Sequence, residues 1–105
     1  MRVFLVAVGM LGAVALATLA AQAAPKPGER VTVTACPYAG VTASCLMINS
    51  SDGTVYNITG AGPKPRLGTR MIRLRGTVSD KMSMCNQGIV LDRIRWTRTR
   101  QKCPN

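Results

Sequence analysis

"SCLMINSSDGTVYNIT", residues 44–59, is two β-prone runs joined across Asp52-Gly53. An Asp-Gly pair between such runs is a strong short-range hairpin signal, so this stretch predicts two successive strands, the second and third of the domain. Upstream, "RVTVTA" at residues 30–35 alternates valine with polar residues and predicts a first strand. Downstream, the glycines and prolines of "GAGPKPRLGT", residues 60–69, forbid a stable helix and predict a connecting loop. "RMIRLRGTVS", residues 70–79, then sets Ile72, Leu74 and Val78 on one face and Arg73, Arg75 and Thr77 on the other, as a half-buried fourth strand should. "GIVLDRIRW", residues 88–96, predicts a fifth strand whose apolar phase slips. Ile89 and Leu91 share one parity, Ile94 and Trp96 the other, and a bulge near Asp92 and Arg93 reconciles them.

The chain has 105 residues, room for one small domain with a modest core. Its first 24 residues, "MRVFLVAVGMLGAVALATLAAQAA", carry one charge, Arg2, and an uncharged Ala/Val/Leu run ending in Ala21-Gln22-Ala23 before the helix-breaking "PKPGE". That is the layout of a secretory signal-peptide helix with a small-x-small cleavage site. A retained anchor is disfavoured, because Gly9, Gly12, Thr18 and the alanines between Ala13 and Ala21 dilute the apolar run. The expected division is a signal peptide at 1–23, a linker at 24–29 and an all-β domain at 30–105 with a basic C-terminal tail. The expected location is outside the cytoplasm, periplasmic or secreted, with no stable membrane insertion after cleavage.

Five short strands in about 80 residues must close on one core, and the small OB-fold barrel does so with five strands. The usual OB helix between strands three and four is replaced here by the proline-rich loop, so a reduced, five-stranded OB-like barrel is expected. A small β-sandwich is the alternative.

Cys36, Cys45, Cys85 and Cys103 all follow the leader, and an even cysteine count in a small exported domain reads as a disulfide framework. The chain has no histidine, and the cysteines lack C-x-x-C spacing. That argues against a metal site and against a redox pair. No cofactor is expected.

"ASCLMINSSDGTVYNITG", "PRLGTRMIRLRGTVS" and "MCNQGIVLDRI" together resemble a family of small exported bacterial domains of unknown function. Its pattern is a cysteine-led strand, a D-G turn, an aromatic-x-aliphatic strand, a glycine-led strand, and C-x-x-G leading into the last strand. The likeness runs from about Cys45 to Ile94. It implies an OB-like barrel and pairing of Cys45 with Cys85, which would pin the barrel mouth, and it carries over no catalytic or ligand residues. Cys36 and Cys103 lie outside the pattern and are left to pair with each other. Gly76 and Gly88 read as structural positions within it.

The sequence carries 14 Lys and Arg against four acidic residues, and only Arg2 falls in the leader, so residues 24–105 retain a charge of +9. Such a charge favours an anionic macromolecule or an acidic protein, or merely keeps a small protein soluble. No enzyme is expected. Glu29, Asp52, Asp80 and Asp92 are the only carboxylates; Asp52 belongs to the turn, and Asp92 lies among arginines that would hold it ionised. Nucleic-acid binding, which an OB-fold invites, needs aromatic platforms as well as charge. Here Tyr38, Tyr56 and Trp96 are the only aromatics after the leader. Tyr38 is the candidate for stacking, Tyr56 and Trp96 for the core. The remaining signal is cationic: Arg73 and Arg75 on strand four beside Arg93 and Arg95 on strand five, continued by Arg98, Arg100 and Lys102 in the tail. The expectation is a non-enzymatic domain that meets an anionic partner through this surface. The alternative is a structural or inhibitor-like interaction module whose charge is incidental.

Overall fold

A computed structural model describes residues 24–104, so the expected signal peptide lies outside the described residues. The described residues form an all-β domain with no helix and six strands: β1 Arg30–Ala35, β2 Tyr38–Ala39, β3 Leu46–Asn49, β4 Val55–Asn57, β5 Arg70–Val78 and β6 Ile89–Lys102. They make one sheet in the order β1-β5-β6-β4-β3-β2. All neighbours are antiparallel except β4 and β6, which run parallel through Tyr56 opposite Ile89 and Asn57 opposite Val90.

Two features correct the expectation of a five-stranded barrel. The sheet has a sixth strand, β2, and its hydrogen bonding does not close into a barrel. The cause is Cys36-Pro37. Proline has no N–H to give a ladder, so the first strand stops at Ala35, and Tyr38–Ala39 pairs instead with β3. The two outer strands of the sheet are thus joined covalently by two residues. The last strand also runs on to Lys102, so "TRTRQK" is a strand against β5 where a tail is expected.

The Asp-Gly hairpin forms as the sequence predicts. Ser50 N donates to Thr54 O at 2.9 Å and Gly53 N to Ser50 O at 3.0 Å. Asp52 Oδ1 accepts from the Ser50 hydroxyl and from Thr54 N, and these bonds, the Ser50 one foremost, hold the exposed carboxyl below its ordinary pKa. The bulge also forms: Thr77 faces Asp92 and Arg75 faces Arg95, so one residue of β5 spans two of β6, with Arg93 at φ +52°. That extra residue lets Leu91 and Ile94 both turn toward the core despite opposite parity. Val33, Leu46, Ile48, Tyr56, Ile58, Ile72, Leu74, Val78 and Leu91 fill that core, with Ile94 and Trp96 packed against its rim.

A core this small depends on staples. Cys45–Cys85 and Cys36–Cys103 are both formed, with Cα atoms 6.0 and 5.8 Å apart. On the chain-entropy account, closing loops of this length contributes about 4 kcal/mol each. Cys36–Cys103 lies where β5 begins, and Cys45–Cys85 ties the loop after β2 to the loop after β5. The buried Asn57 secures the latter loop from inside. Its Nδ2 donates to Ser83 Oγ at 3.0 Å and to Gln87 O at 3.2 Å.

Gly88 ends that loop at φ +71°, and a Cβ there would sit 2.8 Å from Met47 Cε and 3.0 Å from Val55 O. Gly53 has φ +91° but open space around it. Gly53→Ala therefore bears only the left-handed backbone penalty, about 1 to 2 kcal/mol, whereas Gly88→Ala adds a clash and should cost clearly more. Urea unfolding of the two variants measures this, and equal costs would contradict the packing described at Gly88.

Candidate anion-binding face

The outer face of β1, β5 and β6 follows from strand parity. Val31, Val33 and Ala35 of β1 and Ile72, Leu74 and Val78 of β5 turn inward, which leaves the alternate residues outside. Register then sets them in rows. Thr34, Arg73 and Thr97 make one, Thr32, Arg75 and Arg95 the next, and Arg30, Thr77 and Asp92 the third. All the arginines in these rows are exposed.

The middle row is electrostatically unusual. Arg75 and Arg95 are direct cross-strand partners, and like charges placed so are destabilising. Around them lies an open groove of about 860 Å³ lined by Arg30, Thr32, Arg75, Thr77, Arg93 and Arg95, with Gly28 and Gly76 between. No carboxylate lines it among the described residues. The bulge contributes here too, because the extra residue it inserts is Arg93, set beside Arg95 at the groove wall.

The seven cations singled out from the sequence are thus divided. Arg75, Arg93 and Arg95 converge on the groove, and Arg73 stands one row away on the same face. Arg98 pairs with the inward Ile72, which places it on the opposite side of the ribbon, and Lys102 pairs with Arg70 at its far end. Arg100 lies in the irregular stretch between them. Asp92 faces Thr77 across the ladder, in place of an arginine. Tyr38 is half-buried on β2, donates its hydroxyl to Asn49 Oδ1, and does not line the groove. Trp96 is half-buried with its Nε1 donating to Pro63 O at 2.7 Å.

Arg30 is the groove residue that the sequence reading passed over. Its signal was present: it shares parity with Thr32 and Thr34, and so the polar face of the first strand. Among the described residues no three His, Cys, Asp or Glu side chains gather as a metal site. Asp80 lines a separate hollow of about 350 Å³ between Pro25, Pro27 and the loop after β5. No family model, curated protein or solved structure matches the chain.

If Arg75 and Arg95 repel each other in the free protein, Arg95→Thr should raise stability in low salt by a few tenths of a kcal/mol. The gain should vanish near 1 M salt, where the Debye length is about 3 Å. Urea midpoints at the two ionic strengths measure it; a loss of stability in low salt would show that Arg95 serves the fold.

Proposed function

We propose that this is an exported, non-enzymatic, OB-like binding domain that meets an anionic partner through the outer face of β1, β5 and β6. The observation that carries the reading is the directly opposed Arg75 and Arg95, joined by Arg30 and Arg93 in one groove without a carboxylate in its lining. A strand pair that needed only solubility would scatter its charges; concentrating them raises the free protein's energy and lowers it again when an anion arrives.

The OB-like reading is supported by the order β1-β5-β6-β4-β3, by the single parallel pair within it, and by the two-residue link between the outer strands β1 and β2, as in a Greek-key barrel with one seam open. Export itself is supported by the two disulfides, which leave no free cysteine among the described residues and belong to an oxidising compartment. An interaction module with incidental charge draws its own support from exposed Val41, Met82 and Met84, on loops tied together by Cys45–Cys85 and by Val41 N donating to Gln87 Oε1 at 2.9 Å.

Retention of the oxidised exported protein on heparin, compared with a cation exchanger of equal charge density, separates the two. The anion-binding reading predicts preferential retention on heparin. Replacing Arg73, Arg75, Arg93 and Arg95 together by threonine should abolish that preference without unfolding the domain, and replacing Arg98, Arg100 and Lys102 should weaken it less. Equal retention of the parent on both matrices would transfer the function to the Val41, Met82 and Met84 tip.

A further inference from the structure

Resting on the anion-binding reading, we infer that the groove at the β6 bulge is a discrete site for a phosphomonoester, with Arg75, Arg93 and Arg95 as its clamp. Two independent observations point to it. The first is convergence: two arginines directly across the ladder and a third from the bulge line one concavity, with Arg30 at its rim. A carboxylate carries one charge and two oxygens and satisfies one guanidinium fork. A phosphomonoester carries a charge of about −1.5 to −2 on three acceptor oxygens, which matches several forks at once.

The second observation is the backbone at Arg93. A bulge needs an extra residue, and glycine or asparagine takes a left-handed conformation more readily than arginine. Arg93 nevertheless occupies it at φ +52°. The fold's need, bringing Leu91 and Ile94 to the core together, is met by any residue at this position. An arginine there adds nothing to the apolar core and adds a third cation to a place that already has two. Its side chain is explained by what the groove holds.

The groove's dimensions define the rest of the ligand. About 860 Å³ is far more than one tetrahedral anion fills, so the groove has room for a larger molecule that carries the phosphate as its head. The hydroxyls of Thr32 and Thr77 suit a polyol or glycerol body. Among the described residues no aromatic side chain lines the groove to stack a base. A phosphorylated lipid headgroup and a soluble polyol phosphate present the same chemistry.

Titration of the oxidised exported protein with glycerol 3-phosphate at constant ionic strength tests the inference. Saturable one-to-one binding is expected, displaced by inorganic phosphate and not by equivalent chloride. Arg75→Lys keeps the charge but loses the fork, and Arg93→Gly keeps the bulge but loses the cation; each should weaken binding about tenfold or more. Arg93→Gly should unfold at the same denaturant concentration as the parent or a higher one. Vesicles containing phosphatidic acid, set against phosphatidylglycerol vesicles of equal surface charge, identify the source. Preferential competition by phosphatidic acid supports a lipid-borne ester, and competition by neither supports a soluble one. If glycerol 3-phosphate shows no saturable binding while heparin retention persists, the discrete site is refuted and the broader anion-binding face stands. If Arg93→Gly binds as tightly as the parent, the clamp is refuted. Loss of heparin preference in the parent overturns both.

Discussion

One strand, β6, pairs with both β4 and β5, and the bulge at Arg93 lets it keep its apolar residues on the core side. Its first two residues run parallel to β4, and the remainder runs antiparallel to β5. Leu91 and Ile94 must both reach the core from this strand, and an unbroken two-residue alternation would send one of them to solvent. The extra residue resolves that conflict and joins the two halves of the sheet over one apolar interior. The same extra residue stands at the groove as Arg93, which lines it together with Arg95 and its cross-strand partner Arg75. The fold and the basic groove therefore share a single backbone irregularity.

Around that joint the domain is thin, and covalent links do work that a larger core would do by burial. Cys36–Cys103 holds the end of the first strand against the end of the last, and Cys45–Cys85 holds two loops whose neighbours Ser44 and Asn86 sit at positive φ. Asn57 adds polar support beneath the second staple.

The hairpin, the inward residues of β1 and β5 and the bulge were legible because each leaves a local mark: a dipeptide, an alternation, a break in alternation. The β2 strand was not, since two residues carry no period and its pairing follows from the interruption at Pro37. "TRTRQK" was opaque for a different reason. It has no apolar residue to report a face, and it becomes a strand only because β5 extends far enough to pair with it, with Thr99 Oγ1 donating to Met71 O at 2.8 Å. The cationic residues were legible as a set but not as a surface. Parity alone could not tell that Arg98 pairs with Ile72 and leaves the patch, while Arg30, 43 positions before Arg73, joins it. The site is a product of strand order, which local sequence does not carry.

The proposed function requires the outer face to act as one binding surface and not merely as a solvated strand pair. The salt dependence of affinity for duplex DNA, used as a polyanion probe, measures this most directly in the parent and in the variant lacking Arg73, Arg75, Arg93 and Arg95. Each phosphate contact contributes about 0.9 to the slope of log affinity against log salt. Four arginines acting together predict slopes that differ by roughly 3 to 4 between the two proteins. A parent slope near zero, or equal slopes for parent and variant, would contradict the account.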